Sequence, residues 1–264
     1  MNRFLFCLLF IVNSFPFMAG AQLSSQDIAE RVDLFSSDFL GEPYLKDPLG
    51  EGNGKDSDPL YRFDGFDCTT FVETVMALAI SLDHREFENN MNRIRYKQSK
   101  ILFSHRNHFT DADWIPNNVK NGLLKDITHQ LMNGRAYTAA TTIQRSRWFA
   151  VNHGLNINLP TEKAEVPFIP KEWLLANKER IKLLPHGSIV NIVRPNWQLE
   201  EKIGTNLNVS HQGFIIHKED GVYFRHASQT ALKVVDELFL DYLNKMNSNP
   251  TIGGINVLEI LKVL

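Results

Sequence analysis

Cysteine is nearly missing from this chain. Two occur in 264 residues, Cys7 and Cys68, and Cys7 lies within the apolar run Phe4–Val12 that follows Arg3. That run is too short to cross a bilayer and leads to Ala19-Gly20-Ala21 before Gln22, the order of a secretory leader with an A-x-A cleavage site. Residues 1–21 are therefore expected to be a signal peptide, and the mature chain to begin near Gln22 in the periplasm or outside the cell. Cys7 sits inside the run rather than behind a cleavage box, so no lipid or membrane anchor is expected. Once it is removed, Cys68 has no intramolecular partner. Exported proteins commonly use cysteines in pairs, and a leftover thiol there points to reactivity.

Other features are missing as well. No Arg/Lys stripe with interleaved aromatics occurs, and the formal charge of −2 becomes −3 without Arg3. A nearly neutral chain without a basic face excludes nucleic acid as a partner. No internal repeat or low-complexity tract is present. Residues 22–264 suit one domain with a sizeable core, with insertions around 85–170.

What is present centres on Phe66-Asp67-Cys68-Thr69-Thr70-Phe71-Val72-Glu73. A lone cysteine is in general a small buried hydrophobe. Here it follows a long Gly-, Asp- and Pro-rich segment, 42–65, and opens an apolar run from Thr69 to Leu82. With apolar residues on nearly every side, that run predicts a central buried helix. Cys68 would occupy its first turn, capped by Asp67. Unpaired N–H groups and the positive dipole end there favour an anion and are expected to lower the thiol pKa. The Gly-rich segment is a surface loop or, given where it ends, one wall of a cleft.

Ser24-Ser25-Gln26-Asp27 predicts a helix start, with Ile28, Val32, Phe35 and Leu40 at helical spacing and Gly41 as the stop. Residues 85–100 read as helical, 117–123 as a short helix, and 124–131 and 137–143 as strand-like. Residues 145–155 resist assignment, Pro160, Pro167 and Pro170 mark a linker, and 171–184 read as a helix. Phe103–Trp114 is dense in aromatics, His and Arg, which suits either a packed loop or a site for a sugar or polar peptide. His105 and His108 at i, i+3 lack a nearby carboxylate or third His to complete a metal-ligand spacing. No metal or other cofactor is expected.

The last third predicts strands at 187–193, 209–217 and 221–227, with a tight turn at Glu219-Asp220-Gly221. Edge strands at 232–235 and 255–261 flank a helix from Asp236 to Met246. Helices first and a strand meander last is an α+β pattern. A thiol nucleophile needs a base, and the base needs orienting. His211 shares a strand face with Val209, Gly213 and Ile215. A histidine on such a face is more often a satisfied core residue than a catalyst, but the hairpin would carry His226 back alongside it.

Asp67-Cys68-Thr69-Thr70-Phe71-Val72-Glu73, His211-Gln212-Gly213-Phe214 and Phe224-Arg225-His226-Ala227-Ser228 resemble the motifs of a bacterial N-acetylmuramoyl-L-alanine amidase-like family. That family belongs to the NlpC-type, papain-like cysteine peptidases of the cell wall. The resemblance implies a papain-like (NlpC-type) α+β fold, its nucleophile helix packed on a C-terminal antiparallel sheet. It implies Cys68 as nucleophile, His211 as general base and acid, and His226 as the residue orienting it. Asp67 would meet the peptide part of the substrate, Thr69 would also touch the substrate, and Arg106, His108 and Trp114 would meet the disaccharide. Tyr61 is not clearly placed as an oxyanion partner. The implied partner is a muropeptide, especially an anhydro-muropeptide, cut by a monomer at the lactyl–L-alanine amide. Three other readings stay open: the same machinery on the γ-D-glutamyl–diaminopimelate bond, a non-catalytic muropeptide-binding protein, and a zinc amidase using His105 and His108.

Overall fold

The computed structural model describes residues 23–261; the leader assigned to 1–21 lies outside them. Helix α1 (Ser25–Asp38) begins in a capping box. Ser24 Oγ accepts from the Asp27 N–H at 3.1 Å, and Asp27 returns the contact to the Ser24 N–H at 2.6 Å. Its buried face carries Ile28, Val32 and Phe35.

Helix α2 (Cys68–Ala79) is the expected central helix, with every residue from Thr70 to Ala79 buried. Asp67 caps it reciprocally: its Oδ1 accepts from the Thr70 N–H at 2.7 Å, and the Asp67 N–H donates to Thr70 Oγ1 at 3.0 Å. At the other end the buried Arg31 guanidinium donates to the carbonyls of Ala79 at 2.7 Å and Leu78 at 2.9 Å. A cation on the last carbonyls satisfies them and complements the negative dipole end. Helix α3 (His84–Arg95) packs beside α2 through Phe87, Met91 and Ile94.

The segment 42–65 is no slack loop. The Arg95 side chain donates to the Leu49 carbonyl at 2.9 Å, and the Tyr96 hydroxyl donates to that of Gly50 at 3.1 Å. A Cβ on Gly50 would lie 2.3 Å from Asp56 Oδ1, so only glycine permits the turn to close on that carboxylate.

After α4 (Ile115–Lys120) come β1 (Leu124–Asp126), α5 (Thr128–Leu131), β2 (Tyr137–Ile143), α6 (Arg145–His153), β3 (Glu162–Pro170) and α7 (Lys171–Ala176). Then follow β4 (Ile189–Trp197), α8 (Glu200–Ile203), β5 (Leu207–Lys218), β6 (Gly221–Ser228), β7 (Lys233–Leu238), α9 (Phe239–Asn247) and β8 (Gly254–Ile260). The sheet runs β2-β3-β8-β4-β5-β6-β7, with β1 added on β8, and its strand pairs are antiparallel.

Strand alternation gives the sheet two apolar faces. Phe214 and Ile216 of β5 join the core around α1 and α2, whereas Ile215 packs on the opposite side with Phe224 of β6 and Phe239 and Leu243 of α9. Phe71 of α2 meets Phe214 edge to face, 5.7 Å between ring centroids. Each such buried ring or aliphatic chain contributes roughly 1.5–3 kcal/mol.

The α+β class is as expected, and several elements differ. Residues 255–261, expected at an edge, form the central strand β8 between β3 and β4. Its near-continuous apolar run is what burial on both faces requires. The proposed linker is strand β3, whose Pro167 and Pro170 pair with Thr138 and Gly254; such residues fit only where the ladder needs no N–H. Residues 145–155 contain helix α6. The helix expected from Lys171 ends at Ala176, and a 3-10 turn (Lys178–Leu183) follows. The last helix starts at Phe239 rather than Asp236, because Asp236 and Glu237 remain in β7 opposite Arg225 and Phe224. No helix among the described residues is long and apolar enough to cross a membrane.

Candidate active site

Cys68 is a half-buried free thiol in the first turn of α2. Its sulfur receives backbone N–H groups from Thr69 and from Gln212 of β5, with Thr69 Oγ1 3.9 Å away. The contact with Gln212 seats the start of the helix on β5, one residue from His211. The β5–β6 ladder is registered only as far as Phe214↔Arg225, so Gln212 lies just beyond the paired stretch.

The thiol pKa moves opposite to the sequence expectation. Burial, and after it the neighbouring Asp67 carboxylate, push it up to about 12. A helix terminus contributes on the order of 1 kcal/mol, whereas full desolvation can move a group by roughly 3–5 pKa units. Burial wins. It also raises the pKa of Asp67 itself. His211 goes the other way, held down to about 3 by burial and by His226. Burial thus favours the neutral form of both the Cys68 thiol and the His211 imidazole.

The hairpin brings the two histidines together. His211 Nε2 lies 2.7 Å from His226 Nδ1. Beyond His226, its Nε2 lies 3.2 Å from Glu237 Oε1 on β7, and the second oxygen of Glu237 holds the Lys245 ammonium of α9. Phe224 supports the pair, its ring stacked on His226 at 4.7 Å and edge-on to His211 at 5.9 Å. Tyr242 of α9 closes the far side, 5.4 Å from His226 between centroids. Gly213 is required here: a Cβ would come within 2.7 Å of the Arg225 carbonyl and of the Phe224 ring. Arg225, facing the other way, ties α1 to the sheet through Asp33 at 2.7 Å and Asp236 at 2.7 Å.

Asp67, Cys68, Thr69, His211 and His226 are thus gathered where α2 meets β5 and β6. Arg106, His108 and Trp114 are placed differently. Trp114 is wholly buried (0% exposed), its indole N–H donating to Glu73 Oε1 at 3.1 Å; it is a core residue and presents no face to a ligand. Arg106 forms a fork on Glu51, 2.8 Å to each oxygen, and reaches Asp56 at 2.7 Å. His108 Nε2 lies 2.7 Å from the Phe103 carbonyl, in a cluster with Phe103, Trp148, Phe149 and His153. Arg106 and His108 do line a cavity of about 260 Å³, together with Lys97, Arg145, Phe149 and Glu162. Both are committed to partners within the protein.

Tyr61 is held by other partners, its hydroxyl donating to Glu88 at 3.1 Å and its ring 5.1 Å from that of Phe87. Two tyrosines feel the Cys68 thiol: Tyr242 of α9 and, on the helix-start side, Tyr44, which bridges to Phe66 just before Asp67. Its phenol is pushed up to about 12, first by burial and then by the charges of Cys68 and Asp67. Sequence reasoning missed Tyr44 and Glu237; neither stands in a local pattern that marks it. Among the described residues no group of three or more His, Cys, Asp or Glu side chains is arranged to hold a metal ion.

The family model described as N-acetylmuramoyl-L-alanine amidase-like matches residues 34–252. The crystal structure of a Legionella pneumophila protein superposes with a TM-score of 0.84 at 36% identity, over 89% of each chain. An N-acetylmuramoyl-L-alanine amidase from Bacteroides uniformis superposes with a TM-score of 0.69 at 25% identity, over 90% of this chain and 99% of that one. No curated protein sequence matches the chain.

Proposed function

The chain belongs to the N-acetylmuramoyl-L-alanine amidase-like family, and from that premise we propose that it hydrolyses the amide between the muramoyl lactyl group and L-alanine through a thioester on Cys68. The observation that carries the reading is the 2.7 Å pair between His211 Nε2 and His226 Nδ1 on the strand whose Gln212 N–H meets the thiol. The order of helix-borne cysteine, strand histidine and orienting histidine on the next strand supports a papain-like, NlpC-type site.

In this mechanism His211 takes the Cys68 proton as sulfur attacks the lactyl carbonyl. Both groups start neutral, so the charge separation is created during attack rather than stored beforehand. The Cys68 N–H at the helix start and the Tyr44 hydroxyl are the donors for the oxyanion. Collapse of the tetrahedral intermediate breaks the C–N bond, and the imidazolium of His211 gives its proton to the departing alanine nitrogen. Water, deprotonated by His211, then attacks the thioester and releases the lactyl carboxylate and the thiol. Asp67 and Thr69 flank the nucleophile where the stem peptide would lie. Anhydro-muropeptides are the proposed substrate class, met outside the cytoplasm after removal of residues 1–21.

Digestion of a defined anhydro-disaccharide peptide tests this reading. Mass spectrometry is expected to find free disaccharide and an intact stem with N-terminal alanine. Cleavage inside the stem, between γ-D-glutamate and diaminopimelate, would overturn the bond assignment.

A further inference from the structure

We propose that Glu237 is a positioning residue that dictates which nitrogen of His211 is free to accept the thiol proton. The inference deepens the amidase reading above and rests on its use of His211 as base. It follows from valence along one chain of contacts. A carboxylate only accepts hydrogen bonds, so its 3.2 Å contact with His226 Nε2 requires a proton on that nitrogen. In neutral His226 the other nitrogen, Nδ1, is then a lone pair. That lone pair lies 2.7 Å from His211 Nε2, so the proton of the second contact belongs to His211. Neutral His211 is left with Nδ1 as its basic nitrogen. Each tautomer is set by the group behind it.

The alternative is that Glu237 is simply half of a surface ion pair with Lys245. The side-chain exposures argue against this: Lys245 is 69% exposed and Glu237 21%, while His226 is 3% exposed. An exposed Glu–Lys pair contributes little and has no need of a buried imidazole. His226, then Lys245, hold the Glu237 carboxylate down to about 2, so it is ionised whenever the site works. Its negative charge also stabilises the imidazolium that forms when His211 takes the thiol proton. The other ionisable groups near this relay are the Tyr242 phenol, whose pKa burial raises, and Cys68 with Asp67 on α2. None of these supplies a second acceptor to His226 Nε2.

Lys245 gives the test a distinctive form. In Glu237→Gln the ammonium claims the amide oxygen, which turns the amide NH2 toward His226 Nε2 and forces the opposite tautomer. The readout is alkylation of Cys68 by iodoacetamide from about pH 5 to about pH 10, in which sulfur bonds to carbon, iodide leaves and the thiol proton passes to His211. Both Glu237→Ala and the near-isosteric Glu237→Gln are expected to slow it roughly 10- to 100-fold across this range. Adding Lys245→Ala to Glu237→Gln frees the amide to rotate and is expected to recover part of the rate, which a purely structural role would not produce. Profiles of Glu237→Ala and Glu237→Gln that overlay the wild type would overturn the proposal, as would a double variant no faster than Glu237→Gln. Alkylation needs no substrate, so failure of the wild type to cleave the muramoyl amide would remove the amidase reading and leave this comparison standing.

Discussion

The ring of Phe224 lies nearly parallel to that of His226, 4.7 Å between centroids and 20° between planes. It reaches this position by passing over Gly213, where any Cβ would meet its edge at 2.7 Å. Gly213→Ala is therefore expected to displace Phe224 and, with it, the His211–His226 pair. The expected result is a fall in kcat/KM of tenfold or more, alongside about 1–3 kcal/mol of destabilisation from overpacking. Muropeptide kinetics and urea unfolding check the two parts; wild-type kinetics in the variant would contradict the assignment.

Trp114 distinguishes a core role from a ligand-binding one. Burial pushes the Glu73 carboxyl up to about 7, with Arg95 and the Trp114 indole N–H opposing. Trp114→Phe removes that donor and is expected to cost about 1–3 kcal/mol of stability. KM for a disaccharide peptide should stay where it was. A raised KM at unchanged stability would return Trp114 to the glycan site.

Arg106→Ala leaves Glu51 and Asp56 facing each other without their shared cation. Removing one partner of a buried ion pair costs roughly 3–5 kcal/mol, and here it also releases the segment before Cys68. Urea unfolding is expected to show the loss; an unchanged midpoint would mean that solvent already reaches the cluster.

Stability should depend on pH with a predictable sign. Burial first, in each case, holds both His108 and His211 down to about 3, against about 6.5 unfolded. Between about pH 6.5 and about pH 3 the unfolded chain binds more protons, so stability falls as pH drops through that window. Glu73 acts oppositely: raised to about 7 from an ordinary value near 4.5, it lowers stability as pH rises between those limits. His108→Gln is expected to flatten the acid side of the curve. Urea midpoints over a pH series check this, and equal acid slopes for variant and wild type would contradict it.

The parts of the site legible in the sequence were those set by local periodicity. A helix cap before Cys68 and a tight turn next to Gly221 were enough to order Cys68, His211 and His226. The face expected for His211 was not legible: a register shift beside it puts Val209 in the core around α1 and α2 and leaves Ile215 on the opposite side. What was illegible depended on distant residues. The thiol pKa departs from the sequence expectation because the helix dipole is local, while the burial that overrides it is tertiary. Glu237 was hidden in a segment read as helix, and β7 extends through it because Arg225 and Phe224 face it across the ladder. Arg106 resembled a free cation because its partners, Glu51 and Asp56, stand in a Gly-rich stretch far earlier in the chain. The apolar run of β8 was recognisable as a strand, but its central place depends on β3, which its prolines disguised as a linker.

The central claim is that Cys68 carries the acyl group. Acid-quenching the enzyme during turnover of an anhydro-disaccharide peptide and weighing the intact protein tests it most directly. A thioester to the muramoyl lactyl group is expected, adding the disaccharide without its stem and mapping to the peptide that contains Cys68; Cys68→Ala should show neither adduct nor cleavage. Cleavage by Cys68→Ala at the wild-type rate would contradict the account.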